Sequence, residues 1–148
     1  MERDKGPWLD IRRLLENQDL CVLATAGPAG PHASLMGFLP APDLGHIYLL
    51  TPSQTRKYQN ILHNPLVSLL VDDRGKSGPG ASRALTIAGH ARPLADPEAR
   101  ARLLGAFGRR LPHLADIMDD PSTVLLEVAV CSFKLLEGPV NALEMVLE

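Results

Sequence analysis

His46-Ile-Tyr-Leu-Leu-Thr-Pro-Ser-Gln-Thr-Arg-Lys-Tyr-Gln-Asn-Ile-Leu-His-Asn-Pro65 is the stretch on which the reading of this chain turns. His46 to Leu50 has the length and composition of a strand. Thr51, Pro52 and Ser53 break that pattern, and Ser53 stands where a helix N-cap belongs. Tyr58, Ile61 and Leu62 then recur at helical spacing until Asn64-Pro65 stops the helix. A strand, a hydroxyl-bearing turn and a helix N-terminus make a corner where free backbone N–H groups point outward and an anion is welcome. A first helical turn ordinarily favours acidic side chains, because the helix dipole is positive there. This one carries Arg56 and Lys57 instead, an arrangement that costs stability unless an anion answers it. A phosphate would meet the N–H groups, the Thr51 and Ser53 hydroxyls, and both cations.

The rest of the chain bounds what such a corner can serve. At 148 residues, with 45% apolar residues, the chain reads as one domain, 1–148, with a sizeable core. The formal charge of −2 and the lack of a basic block argue against nucleic acid as the partner. No apolar run reaches the ~20 residues of a membrane span. The N-terminus is charged and lacks a signal-peptide apolar region. Cys21 and Cys131 lie in strand-like runs, and read as reduced core residues of a cytoplasmic protein.

Taken in order, Trp8 to Leu20 reads as an amphipathic helix, with Trp8, Ile11, Leu14 and Leu15 on one face. Cys21 to Ala26, His32 to Leu39 and His46 to Leu50 read as three strands joined by Gly-Pro and Pro-Asp turns, an antiparallel meander. Leu66 to Val71 is a nearly continuous apolar run, expected to be buried on both faces. Asp72 to Ser82 is a glycine-rich, charged and mobile loop. Arg83 to Leu94 is a strand in which Leu85, Ile87 and Gly89 alternate with Thr86, Ala88 and His90. Asp96-Pro97 opens a helix ending at Arg109-Arg110. Leu111 to Asp119 suggests a further short helix, Val124 to Leu136 a long strand, and Gly138 to Glu148 a strand or an arm docked on a partner. The expected fold is mainly β with flanking helices: a six-stranded antiparallel barrel whose closure removes exposed edges.

The order of elements resembles the FMN-binding split-barrel family related to pyridoxamine 5′-phosphate oxidase. The residues that carry the resemblance are Val22-Leu23-Ala24-Thr25 before a Gly-Pro turn, Pro31-His32-Ala33 and Tyr48-Leu49-Leu50-Thr51. Arg56-Lys57, Asn60-Ile61, Asn64-Pro65-Leu66-Val67-Ser68 and Leu85-Thr86-Ile87-Ala88-Gly89-His90-Ala91 follow. The likeness spans roughly Leu20 to Leu94. It implies a homodimer with one FMN at each of two sites between the subunits. It further implies phosphate contacts from Thr51, Arg56 and Lys57, with Leu50 and Ser53 beside them in the cofactor site, and a flavin edge along Ser34, Leu35, Met36 and Gly37. The partner subunit would contribute Ser82, Arg83 and Leu85. Two departures stand out. The run Ala33 to Gly37 has no basic residue, where the oxidase itself offers cations to the cofactor and to the substrate phosphate. The tail Gly138 to Glu144 is neutral to acidic, where the oxidase has a basic, substrate-binding segment.

Other constellations are sparse. The five histidines make no metal-ligand spacing, so no metal is expected; His63 and His113 stay open as haem ligands, because some split-barrel relatives bind haem. Asp72-Asp73 and Asp119-Asp120 lack a partner acid or base. No Ser-His-Asp or nucleophilic Cys pattern occurs. A flavoprotein needs none of these, since the cofactor carries the redox chemistry. The leading expectation is an FMN-dependent oxidoreductase acting on a small-molecule electron donor or acceptor. A non-catalytic flavin or haem binder and a deazaflavin-dependent reductase on the same barrel are the alternatives.

Overall fold

A computed structural model describes residues 3, 5–76 and 82–147. Along the chain come helix α1 (Pro7–Asn17) and strands β1 (Leu20–Gly27), β2 (Gly30–Gly37), β3 (Leu39–Pro40) and β4 (His46–Pro52). Then follow α2 (Arg56–His63), β5 (Leu66–Asp72), β6 (Arg83–Pro93) and α3 (Pro97–Arg110). A 3-10 turn (Pro112–Leu114), α4 (Ala115–Asp119), β7 (Thr123–Glu137) and β8 (Asn141–Val146) complete it. All strand pairs are antiparallel, in the order β2-β1-β5-β6-β7-β4-β3, with β8 on β7.

Only Phe38 separates β2 from β3. The two ends of the sheet are therefore the two halves of one bent strand, and the sheet curls on itself as a split barrel with helices on its flanks. The expected six strands appear as eight, because the bend divides the second and the tail forms β8. The tail is thus a strand; Leu135 faces Leu143 across the β7–β8 pair. Of the glycine-rich loop, residues 77–81 lie outside the described residues.

Several expectations are corrected. The first three strands do not form a meander. β4 pairs with β7 along its length, Ile47 opposite Val128, and meets the second strand only beyond its bend, at Leu39 and Pro40. The gain is burial: Ile47 and Val128 are both fully enclosed. α1 stops at Asn17 rather than Leu20, because Leu20 pairs with Gly37. β5 is buried on one face only. Val67, Leu69 and Val71 point into the barrel, while Leu66 and Leu70 are 57% and 41% exposed. β7 lies inside the sheet, flanked by β6 and β4, and α3 covers its Leu125. Pro112 splits the Leu111–Asp119 segment into a 3-10 turn and a one-turn helix. Ser53 is not the cap of α2; Thr55 is.

The remaining elements form for the reasons their sequences give. Asp96 caps α3 by accepting the Ala99 N–H at 3.1 Å, and Pro97 fills the first position, where no N–H is needed. Inside the barrel Phe38 and Phe133 are fully buried, and Trp8 of α1 meets Phe133 edge-on at 5.9 Å. A second cluster joins Leu103 and Phe107 of α3 to Leu50 and Leu125 of the sheet.

One side chain ties these layers together. Arg110 donates from Nη2 to the carbonyls of Leu15 (2.8 Å) and Gln18 (2.6 Å), and from Nε to that of Phe38 (2.9 Å). Its guanidinium also stacks 5.0 Å over the Phe38 ring. Next to the bend, Gly37 lets Leu111 close in: a Cβ there would stand 2.9 Å from the Leu111 Cδ1. Arg110 therefore fastens the end of α3 to the end of α1 and to the bend that closes the barrel. Replacing Arg110 by Leu should lower stability by about 3 kcal/mol or more, because charge-assisted hydrogen bonds contribute roughly 1.5–3 kcal/mol each and do not add fully. Arg110→Lys should recover less than half of that loss, since an ammonium lacks the planar fork. Urea denaturation of the three proteins measures both.

Candidate functional site

The corner between β4 and α2 is built from hydroxyls. Thr51, the last inward-facing residue of β4, is fully buried. Its Oγ1 lies 2.8 Å from the Thr55 Oγ1, and both hydroxyls lie 3.1 Å from the Pro52 carbonyl. Thr55 also accepts the Tyr58 N–H at 3.4 Å, which makes it the N-cap of α2. Ser53 is held by its backbone instead, donating its N–H to the Ser122 carbonyl at 3.0 Å. Thr51 thus stands behind Thr55, and Thr55 is the hydroxyl at the helix mouth. Leu50 points the other way, into the cluster under α3.

Arg56 and Lys57 open α2, whose first turn holds no acidic residue. Arg56 is exposed and reaches the Ala29 carbonyl of the β1–β2 turn at 3.4 Å. Lys57 is half-buried. α2 is pinned to the sheet beneath it by a buried bond from Asn60 Nδ2 to Thr25 Oγ1, 3.1 Å long. At Gly27 an added Cβ would fall 2.1 Å from the Asn60 Oδ1. The helix mouth, the β1–β2 turn and the strand β2 are therefore held side by side.

Along β2 the side chains alternate. His32, Ser34 and Met36 sit opposite Thr25, Leu23 and Cys21, which face the interior. Leu35 points outward, 60% exposed. The Ser34 Oγ is buried and has no hydrogen-bond partner. A buried hydroxyl left unpaired costs roughly 1–3 kcal/mol, so this atom is a ready contact for a bound polar group. Gly37 packs on Leu111 and Leu114.

Ser82, Arg83 and Leu85 are not brought to this corner within one chain. Arg83 pairs with Glu137 at one end of the fifteen-residue β7, whereas Thr51 pairs with Val124 at the other. Arg83 is an ion-pair partner of Asp10 (3.5 Å) and of Glu137 (3.8 Å), Ser82 is exposed, and Leu85 is fully buried in the core.

The other titratable groups have structural work. Asp73 is buried and accepts the N–H groups of Gly75 and Arg83. Asp72 pairs with Arg74 at 3.0 Å. Ser122 donates from backbone and side chain to Asp120, holding that carboxyl below its ordinary range. Burial pushes the Cys21 thiol up to about 12, so it is no nucleophile. Among the described residues no three His, Cys, Asp or Glu side chains gather to hold a metal ion. Sequence reading gave Thr55 no role, and named Asn60 and Thr25 only among the residues of the resemblance, without the bond between them. The signal for Thr55 was present, a Thr followed three residues later by the helix's first apolar side chain; the Asn60–Thr25 bond links residues far apart in sequence and left none.

The model of the family described as pyridoxamine 5′-phosphate oxidase matches residues 10–136. A pyridoxamine 5′-phosphate oxidase homolog of Schizosaccharomyces pombe is 39% identical over 89 residues, 52% of this chain and 47% of that protein. The alignment thus spans about half the length of this curated relative. Among solved structures, a candidate pyridoxamine 5′-phosphate oxidase from Listeria innocua superposes with a TM-score of 0.68 at 25% identity, covering 86% of this chain and 95% of its own. A haem-binding protein from Mycobacterium smegmatis superposes with a TM-score of 0.78 at 22% identity, covering 91% of this chain and 55% of its own.

Gly27→Ala should force Asn60 aside and break its bond to Thr25. The expected loss is about 1–3 kcal/mol, the usual cost of overpacking. Amide exchange should speed up in α2 more than in β6 or β7. Uniform exchange across the three elements would show that Asn60 does not anchor the helix.

Proposed function

The chain belongs to the pyridoxamine 5′-phosphate oxidase family, and from that premise we propose that it is an FMN-binding oxidoreductase, working as a homodimer on a small molecule. The observation that carries the proposal is the mouth of α2: Arg56 and Lys57 on a first turn without any acid, beside the Thr55 hydroxyl. Two cations at the positive end of a helix are mutually unfavourable until an anion sits between them. A terminal phosphate fits, with the helix N–H groups and both side chains as donors. The unpaired Ser34 Oγ on the adjacent strand supplies a contact for the polar edge of a flavin. Bound FMN would supply hydride or electron transfer. The chain's own part is to grip the phosphate, present β2 to the ring and keep Thr55 oriented through Thr51.

The dimer is proposed on two grounds. Leu20, Leu35, Leu66 and Leu70 are each at least 41% exposed, and Leu35 and Leu70 flank Val22 on neighbouring strands, an apolar outer face. Arg83 opens β6 opposite Glu137, at the end of β7 away from Val124 and Thr51, so Ser82 and Arg83 stand far from the α2 mouth of their own chain and a second copy is needed for both groups to serve one flavin.

A haem-binding reading has one observation in its favour. The His63 Nδ1 bonds the Gln59 carbonyl at 3.1 Å, the contact that leaves Nε2 free to coordinate iron. The absorption spectrum of protein reconstituted with each cofactor separates the readings: flavin bands with FMN, or a Soret band that His63→Ala abolishes.

For the phosphate grip, the Arg56→Ala/Lys57→Ala variant should bind FMN at least a hundredfold more weakly, about 3 kcal/mol, with riboflavin affinity changed less than threefold. Equal losses for the two ligands would sink the assignment. For the substrate, β2 offers no cation between Ala33 and Gly37 and β8 carries Glu144, so nothing there grips a second phosphate. FMN-loaded protein should therefore produce no hydrogen peroxide from pyridoxamine 5′-phosphate under oxygen.

A further inference from the structure

Arg102, Ala106 and Arg109 recur at intervals of four and three along α3 and share one stripe. That stripe does not face the core, which Leu103 and Phe107 fill. It forms one wall of a cavity of about 310 Å³, whose other side is the Leu39–Pro42 segment and the ring of Tyr48. The small side chain of Ala106 keeps the groove open between the two arginines.

The four arginines of α3 that lie nearest the sheet and its turns divide into two kinds. Arg100 donates to the Thr123 carbonyl at 3.1 Å, and Arg110 to two carbonyls at the end of α1 and one at the barrel bend. Arg102 and Arg109 have no hydrogen bond or ion pair among the described residues. Both line the cavity. The acids near it are already engaged or outside its wall. Glu127 is buried, accepts from Arg92 at 2.8 and 3.1 Å, and faces Tyr48 across the β4–β7 pair. Asp43 accepts the Gly45 N–H at 2.8 Å. In a chain of net charge −2 this groove sets two guanidiniums, without ion-pair partners among the described residues, over an apolar floor.

We infer that the groove between α3 and the Leu39–Pro42 segment is a second ligand site, for a small organic anion with a flat apolar body. The body would lie on Leu39, Pro40 and Tyr48, and a carboxylate would be held by Arg102 and Arg109, whose planar forks suit it. The volume is that of a small-molecule site. The site is separate from the mouth of α2, and its existence does not depend on flavin binding there.

The probe is 2-naphthoate, titrated calorimetrically into the full chain, with neutral 2-naphthalenemethanol as control. Naphthoate should bind at least tenfold more tightly than the alcohol. Arg102→Gln/Arg109→Gln should lower naphthoate affinity at least tenfold, and Ala106→Trp, which fills the groove, should abolish binding. FMN affinity should stay within twofold in both variants. Both changes are on the exposed side of α3, and circular dichroism checks that the helix persists. If Ala106→Trp does not fold, the glutamine variant alone decides. Equal binding of acid and alcohol, unchanged affinity in the glutamine variant, or competition between naphthoate and FMN would each overturn the proposal.

Discussion

The guanidinium of Arg110 is the contact on which the architecture depends. Three backbone carbonyls from the end of α1 and from the strand bend converge on it, and none of them has a helix or sheet partner available at that point. Burial lowers its pKa from the ordinary value, and Asp19 and Glu16 nearby pull it back. Arginine stays charged under such pressure where lysine would not. The charge is thus spent on the backbone, at the one place where a sheet must turn back on itself without a loop. Phe38 beneath it seals the barrel, and Leu111 leans into the gap left by Gly37.

The β4–α2 corner uses the opposite arrangement. There the polar groups inside the structure satisfy one another, Thr51 with Thr55 and Thr25 with Asn60, while the cations are left pointing outward. The internal hydroxyls make the corner rigid, so any anion that binds meets preset donors rather than ordering them on arrival. Ser34 is the exception: its inward-facing hydroxyl has no internal partner, and it lies on the strand beside the helix mouth.

Much of this was legible in the sequence, for local reasons. Asp96-Pro97, Asn64-Pro65 and the apolar spacing of Ile11, Leu14 and Leu15 are signals carried by neighbours in the chain, and the helices they predict are present. Arg56 and Lys57 stand on the first turn of α2, as the spacing requires. What failed was long-range. The pairing of β4 with β7 cannot be read from either strand, and the short turn before β4 suggested a nearer partner. Leu66 and Leu70 look like core residues because composition does not say which side of a strand will be covered. The cap moved from Ser53 to Thr55 because Ser53 is drawn to the Ser122 carbonyl, a contact seventy residues off in sequence by rough count.

The placement of β4 has a consequence for how the chain reaches its native state. His46–Pro52 emerges during synthesis long before Thr123–Glu137, the strand that pairs with it. Until then β4 has only the two residues of β3 paired beside it, and Leu50 lacks the Leu103, Phe107 and Leu125 that cover it. The hairpin of β1 and β2 can form early, being local. Closure must wait for nearly the whole chain, which makes folding a late, high-contact-order event. A chain stalled or truncated before β7 would present an apolar strand with one open edge, the kind of surface that recruits chaperones or a neighbouring chain.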